Sequence, residues 1–327
     1  MKIWFFAMLL ILGCEDRPET ARTRIDRVSA EVLYAQARES VQKEGIKELT
    51  WAVTPFVTTT SVDEQYRSTI NLVSQKLGIP MNILVGQNYA DVENLLLSGD
   101  ADIAVMSPYA YVRAKEQVPD IQVFATHIAN GTESYGAYIL ARSDSGINSL
   151  QDIKGKRFAF VDPRSTSGWL FPASRMMDEG INPLEDIEGH FYGNHKRVIE
   201  AIVNGDVAAG STYDGALATG RGNIPGAENL EVIARTQRIP YDAYVLRKDI
   251  PQGVILGLQK ALSSVSIRDA DGRSALAPLM DINGFIPADN TDYKIVRAVD
   301  SQVRELIERG GNLPKVISFP TESDTPQ

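Results

Sequence analysis

Apolar positions between residues 49 and 129 follow two alternating periodicities. Stretches such as 61–77 and 89–99 repeat apolar residues every three or four positions, which is typical of amphipathic helices. Gly78 and Gly99 follow them as C-cap glycines. Short runs rich in β-branched and aromatic residues separate the helices and predict strands at 49–57, 81–85, 102–106 and 121–127. Strands separated by helices indicate βαβ units and a mostly parallel sheet.

The same alternation restarts after Asp144. Strands are predicted at 157–161, 190–193, 207–211 and 230–234. Helices are predicted between them at 166–179, 195–204 and 213–219. The chain therefore predicts an α/β protein with two lobes.

Two segments, 135–142 and 241–248, resemble each other. Both read Tyr-x-Ala-Tyr, a β-branched residue and Leu, and they lie 106 residues apart. We interpret them as two strands that cross between the lobes and form a hinge. The lobe at 139–244 is then inserted into a lobe made of 49–138 and 245–315. The alternative is a chance similarity between two buried strands.

The N-terminus has the pattern of an export signal. Lys2 is followed by ten apolar residues, 3–12, which suit the apolar region of a signal peptide and are too few to span a bilayer. The next residues, Gly13 and Cys14, complete a sequence that resembles the bacterial lipobox. We expect a signal peptide at 1–13 and lipidation of Cys14, which would hold the protein on the membrane outside the cytoplasm. An incidental cysteine in an ordinary signal peptide is the alternative.

The charged segment that follows predicts a lipidated tether over 14–48. Within it, 28–45 is a candidate helix with Val28, Val32 and Ala35 on one side. Residues 316–327 are expected to be a C-terminal tail.

Composition narrows the function. The chain has 33 Lys and Arg against 42 Asp and Glu, a net charge of −9, which argues against binding nucleic acid through bulk charge. Its single cysteine excludes an internal disulfide and a cysteine-based zinc site. The three histidines have no compact metal-ligand spacing. No phosphate-binding P-loop or dinucleotide motif occurs, so we expect no metal and no cofactor.

The strongest chemical signal is the run Ser165-Thr166-Ser167, directly after a predicted strand and at the start of a helix. Hydroxyls at a helix N-terminus lie beside free backbone N–H groups and the positive end of the helix dipole. This combination suits a tetrahedral oxyanion. Plain N-capping, which needs only one hydroxyl, is the alternative.

Three further residues are candidates for the same cleft. His195 and Asp214 each begin a helix after a strand, where side chains reach the cleft at the carboxyl ends of strands. Asp242 lies in the second crossing segment. A carboxylate accepts a hydrogen bond from a protonated oxyanion but not from sulfate, so the acids favour a ligand with a P–OH group. Capping by Asp214 and simple exposure of His195 are the alternatives.

Four segments, taken in order, resemble the phosphate, phosphite and phosphonate-binding proteins of bacterial ABC importers. They are 88–92 with 99–104, 107–112, 162–172, and 193–195 with 207–214. The stretch Asp-Pro-x-Ser-Thr-Ser-Gly-x-Leu-Phe-Pro is the most specific. Two departures, Ser107 in place of the usual Gly and Asp214 where relatives carry Glu, leave the size of the substrate open.

The resemblance implies a type II periplasmic-binding-protein fold, with two lobes joined by two crossover hinge strands. It also implies the ligand-binding residues Tyr89, Tyr135, Ser165, Thr166, Ser167, His195, Asp214 and Asp242. The tyrosines would close over the ligand, and the Ser-Thr-Ser run would bind the phosphoryl oxygens.

The predicted function is therefore capture of a phosphorus oxyanion and its delivery to an ABC permease by a monomeric, lipid-anchored, non-enzymatic protein. Two alternatives use the same cleft. One is a periplasmic ligand-sensing subunit, and the other is a phosphate-ester hydrolase that uses Ser165, His195 and Asp214.

Overall fold

The computed structural model describes residues 28–55, 59–279 and 281–317. The predicted signal peptide, Cys14, the start of the tether and most of the predicted tail lie outside these residues. Among the described residues, no helix combines the length and the apolar content needed to cross a bilayer.

The first part of the chain alternates helices and strands, as the periodicity predicts. In chain order it comprises α1 (Ala30–Lys43), β1 (Leu49–Val53), α2 (Thr59–Leu77), β2 (Met81–Val85), α3 (Tyr89–Ser98), β3 (Ile103–Met106), α4 (Pro108–Gln117) and β4 (Gln122–Ala129).

The middle part crosses into a second set of strands and returns. It comprises β5 (Ser134–Tyr135), β6 (Ala137–Arg142), β7 (Arg157–Phe160), α5 (Phe171–Asp178), β8 (Glu188–Phe191), α6 (His195–Val203), β9 (Ala209–Tyr213), α7 (Asp214–Asn223), β10 (Leu230–Arg235), β11 (Ile239–Pro240) and β12 (Ala243–Leu246). Short 3₁₀ turns lie at Leu150–Ile153 and Ala227–Asn229.

The last part returns to the first lobe and ends on the second. It comprises α8 (Gln252–Ser263), α9 (Ala270–Leu276), β13 (Ile282–Pro287), α10 (Lys294–Glu308) and β14 (Lys315–Val316), with 3₁₀ turns at Ala277–Leu279 and Asn290–Tyr293.

The strands form two six-stranded sheets. The first sheet has the order β13-β4-β12-β3-β1-β2 and the second has the order β10-β6-β9-β7-β8-β14. Central strands such as β3 are buried along their whole length, which explains their unbroken apolar sequence. The first lobe is built on the first sheet and the second lobe on the second sheet.

The expectation of mostly parallel sheets is only partly correct. Strands β1, β2 and β3 are parallel neighbours, as are β7, β8 and β9. In contrast, β12 is antiparallel to β3 and β4, and β6 is antiparallel to β9 and β10. The antiparallel strands adjoin the crossings between the lobes, where the chain enters each sheet from the other lobe.

The two crossing segments meet in a small sheet between the lobes, where β5 pairs with β11. After this sheet the chain enters β6 of the second sheet in one case and β12 of the first sheet in the other. The two similar sequence segments therefore end in different lobes. Strand β14, which the sequence divides between the first lobe and the tail, pairs with β8 of the second sheet. The exact lobe boundaries stay a prediction.

Helix α1 packs against α8, so the packed body of the protein begins before residue 49. Its buried residues are Leu33, Ala37 and Val41. A Cβ atom at Gly257 of α8 would lie 2.6 Å from the Ala37 Cβ, so glycine permits this close approach.

The predicted apolar side of this helix is wrong. Val32 is 47% exposed, and Ala35 is also exposed. The sequence offers two apolar stripes, and the position of α8 decides which one is buried.

Candidate functional site

A cavity of about 460 Å³ lies between the two lobes and is lined by residues from both sheets and from the crossing segments. All eight residues that the sequence singles out line it: Tyr89, Tyr135, Ser165, Thr166, Ser167, His195, Asp214 and Asp242. Strands β7 and β9 are parallel neighbours, so the loops after them open at the same edge of the second sheet. This topology brings the Ser-Thr-Ser run beside Asp214.

The Ser-Thr-Ser run begins a π-helical turn, Thr166–Leu170, that precedes α5. The sequence predicts an ordinary helix here, but the Leu170 N–H donates to the Ser165 carbonyl five residues back. The Ser165 Oγ accepts from the Gly168 N–H at 3.0 Å and caps the turn. The first N–H groups of any helix lack partners within it, so this turn presents backbone donors beside three hydroxyls.

Gly168 is required by close packing under this turn. A Cβ atom at Gly168 would lie 2.3 Å from the Val161 Cβ. The Gly168 carbonyl accepts from the Val161 N–H at 3.0 Å and from the Ser211 hydroxyl at 2.9 Å. The glycine therefore fixes the loop to the ends of β7 and β9.

His195 is the first residue of α6, whose N-cap is Asn194. Its Nδ1 lies 2.8 Å from the Thr212 Oγ1 and its Nε2 lies 3.5 Å from the Tyr89 Oη of the first lobe. Burial lowers the pKa of His195 to about 3, so the ring is neutral at physiological pH. The histidine is thus positioned by the second lobe and contacts the first.

The histidine contacts also bear on the hydrolase alternative. Among the described residues, the hydrogen-bond partners of His195 are Thr212 and Tyr89, and neither Ser165 nor Asp214 is one of them. The structure therefore does not assemble a Ser-His-Asp triad.

Tyr89 and Tyr135 are phenols that stay protonated. Burial is the main cause that raises the pKa of each well above its usual range, with nearby carboxylates adding to the effect. Tyr135 stacks on Tyr241 with ring centroids 5.1 Å apart and meets Tyr213 edge-on at 6.4 Å. Both phenols therefore remain hydrogen-bond donors.

The two carboxylates have different environments. The Asp214 Oδ2 accepts from the Gly136 N–H at 3.0 Å, and its Oδ1 accepts from the Gly215 N–H at 2.9 Å. Asp214 therefore ties α7 to the crossing segment, and Tyr213, not Asp214, is the N-cap of the helix. Burial raises the pKa of Asp242 to about 7. Asp242 therefore keeps its proton to a much higher pH than an ordinary aspartate does.

Direct contacts join the lobes beside the loop at 162–168, which carries the Ser-Thr-Ser run and is the candidate anion loop. The Ser107 hydroxyl donates to the Arg164 carbonyl at 2.6 Å, and the Tyr109 N–H donates to the Thr166 Oγ1 at 2.9 Å. The Arg164 Nε donates to the Glu93 Oε2 at 2.8 Å. These contacts tie the loop that carries the Ser-Thr-Ser run to α3 and α4 of the first lobe.

Sequence reasoning missed four aromatic residues that line the cavity: Tyr66, His127, Tyr213 and Tyr241. Tyr213 and Tyr241 directly precede the two predicted acids, which was the available signal. His127 is remote from His195 in sequence, yet both line the same cavity. Within the part of the chain that the structure describes, no group of three or more His, Cys, Asp or Glu residues is arranged to hold a metal.

Two α/β lobes with a cleft between them define the class of periplasmic binding proteins. This chain belongs to the family of periplasmic substrate-binding proteins of phosphonate ABC transporters, whose family model matches residues 51–293.

Several relatives match in sequence, among them the two that follow. The phosphate-import protein PhnD of Mycolicibacterium smegmatis is 32% identical over 187 residues, which are 54% of this chain and 58% of that protein. The phosphonates-binding periplasmic protein of Escherichia coli is 26% identical over 216 residues, which are 64% of this chain and 64% of that protein. The matched region therefore spans less than two thirds of either relative.

A solved structure, PhnD1 from Prochlorococcus marinus in complex with methylphosphonate, superposes with a TM-score of 0.72 and 20% identity over 79% of this chain and 99% of that chain. This similarity confirms the predicted two-lobed type II fold.

Proposed function

We propose that this protein is the solute-binding component of an ABC importer, which captures a phosphorus oxyanion between its lobes and delivers it to the permease. The observation that carries the proposal is the Ser165–Ser167 run at the start of the π-helical turn, inside a cavity lined by both lobes. Family membership supports the same function.

The anion loop would supply most of the binding energy through hydrogen bonds. The Oγ atoms of Ser165 and Thr166 already accept backbone N–H groups, which leaves their hydroxyl hydrogens to donate to phosphoryl oxygens. Tyr89 and Tyr135 would add two phenol donors. Hydrogen bonds to a charged group contribute about 1.5–3 kcal/mol each, so four or five exceed the roughly 8 kcal/mol of a micromolar complex before ordering costs.

Asp242 would select the ligand by its proton. Phosphate and phosphonate exchange a proton near neutral pH, as Asp242 does, so a complex at neutral pH holds one proton between the carboxylate and a phosphoryl oxygen. Sulfate brings no proton, so it depends on the protonated form of Asp242, which becomes scarce above pH 7. A phosphorus oxyanion can supply the shared proton itself, so the site would favour phosphorus oxyanions over sulfate where Asp242 is ionised.

Closure would follow from contacts that only the closed state makes. A ligand held by the second-lobe loop and by Tyr89 of the first lobe stabilises the arrangement in which both surfaces meet. The protein performs no chemistry in this scheme and acts as a monomer.

We further propose that Cys14 carries the lipid anchor that holds the protein on the membrane outside the cytoplasm. Cys14→Ser should move the protein from the membrane fraction to the soluble fraction, and unchanged membrane retention would contradict the anchor.

A thermal-shift panel on the purified full-length protein in detergent tests the binding function. The panel compares phosphate, phosphite, methylphosphonate, aminoalkylphosphonates and sulfate at pH 7.5. A ligand present at 100 times its Kd stabilises the folded state by about 2.7 kcal/mol. We expect stabilisation by at least one phosphorus oxyanion and none by sulfate. Stabilisation by sulfate alone, or by no member of the panel, would overturn the proposal.

A further inference from the structure

The cavity extends well beyond the anion loop, along helix α7. Asp214 lines it at the start of the helix. Ala216, Gly220 and Asn223 also line it and follow each other at spacings of four and three residues on one face of the helix. At a rise of 1.5 Å per residue, the distance from 214 to 223 is about 14 Å. Asp214 lies beside the anion loop, so the part of the cavity along the rest of α7 lies away from that loop.

Several residues in the walls of this extension are apolar, beside the polar residues Lys196, Thr219 and Asn223. We call it the apolar arm and define it by Ile199, Ala216, Gly220, Leu279 and Ile282, which line the cavity from both lobes. Ile199 is 1% exposed, Ala216 7% and Ile282 8%, although all three line the cavity. Ile199 lies one helical turn beyond His195 on α6, so the arm begins directly beside the predicted site.

The lobes approach each other closely at the entrance to the arm. A Cβ atom at Gly215 of α7 would lie 3.5 Å from the Asp281 Oδ2 of the first lobe. A Cβ atom at Gly220 would lie 3.0 Å from the Ile199 Cδ1. Ile199 and Gly220 both belong to the second lobe, so α6 and α7 form one wall of the arm, and Asp281 approaches this wall from the first lobe.

The size of the cavity does not match an inorganic ligand. At about 460 Å³ it falls in the range of roughly 300–1,000 Å³ of pockets that hold organic molecules. Phosphate and methylphosphonate have five heavy atoms each and would occupy only the end at the anion loop. The apolar residues next to this end favour a ligand that buries an apolar substituent against them.

We propose that the ligand is an organophosphonate whose substituent is an extended apolar chain or ring, which lies in the apolar arm along α7. The inference rests on the proposed function, because the phosphonate group is assigned to the Ser165–Ser167 loop. The apolar arm then determines which phosphonates bind tightly.

Titration calorimetry with methyl-, propyl-, hexyl- and benzylphosphonate on the full-length protein tests this inference. Burial of each methylene should tighten the Kd about fourfold until the chain fills the arm. A Kd that stays constant or weakens from methyl to hexyl would overturn the apolar arm and leave the binding function in place. Failure of every phosphonate and of phosphate to bind would overturn both.

A matched pair of variants locates the substituent. Ala216→Leu adds bulk inside the arm, and Ala218→Leu makes the same change on the exposed side of the same helix. We expect Ala216→Leu to weaken hexylphosphonate binding at least tenfold and to preserve methylphosphonate binding. We expect Ala218→Leu to change the Kd of neither ligand. The inference would be overturned if Ala216→Leu weakened the binding of both phosphonates equally and hexylphosphonate remained the tighter ligand. The substituent would then lie elsewhere. Methylphosphonate binding also reports that the variant is folded.

Discussion

The ion pair between Glu93 and Arg164 joins the two lobes next to the anion loop, and its removal should weaken ligand binding by destabilising the closed state. Glu93 lies on α3 of the first lobe, and Arg164 directly precedes the Ser-Thr-Ser run of the second. Glu93 also accepts a hydrogen bond from the Gln117 side chain. Because the two side chains belong to different lobes, the pair should be lost when the lobes separate.

The exposure of the two side chains sets the magnitude. The Glu93 side chain is 5% exposed and the Arg164 side chain is 30% exposed. Exposed pairs contribute up to about 1 kcal/mol, whereas breaking a fully buried pair costs about 3–5 kcal/mol. An intermediate coupling of about 1–2 kcal/mol corresponds to a Kd that is about 5- to 30-fold weaker.

A double-mutant cycle with Glu93→Gln, Arg164→Met and the combined variant isolates this coupling. The assay is titration calorimetry with the phosphorus oxyanion that stabilises the protein most. The control is the same pair of changes at Arg175 and Glu179, which form an ion pair at 2.7 Å within α5 and its C-cap and do not join the lobes. We expect coupling in the Kd at the first pair and none at the control pair.

The reasoning fails if the cycle at Glu93 and Arg164 lowers the urea midpoint without changing the Kd. That result would mean that the pair holds the fold in both the open and closed states. Equal coupling in the control pair would also contradict it.

Two further changes test the loop and the buried acid. Gly168→Ala should lower the free energy of unfolding by about 1–3 kcal/mol in urea titrations, because the added Cβ overlaps Val161, and an unchanged midpoint would refute the close packing. Because burial raises the pKa of Asp242 from 3.8 to about 7, the folded protein keeps a proton that the unfolded chain releases. The stability of the wild type relative to Asp242→Asn should therefore fall between pH 4 and pH 7, by at most about 1.4 kcal/mol per pH unit, and stay constant above pH 7. A stability difference that does not change over this range would show that Asp242 is hydrated.

The sequence by itself determined the features that depend on neighbouring residues. Periodicity located most of the helices and strands. The Ser165-Thr166-Ser167 run marked a candidate anion loop, because a strand, hydroxyls and a helix start follow each other within a few residues. All eight residues of the predicted site line one cavity in the structure. Residues that follow different strands can be predicted to share a site because the carboxyl ends of adjacent parallel strands lie at one edge of a sheet.

Only the tertiary structure decided which distant surfaces meet. The antiparallel direction of β12 depends on strands more than a hundred residues away. The buried stripe of α1 contains Leu33 and not Val32 because α8 packs on that side. His127 lines the cavity together with His195, and Ile282 of the first lobe faces the same space as Ala216 of the second. Periodicity shows which face of a helix or strand is apolar. The surface that this face contacts depends on packing between elements that are distant in sequence, and no local pattern encodes that packing.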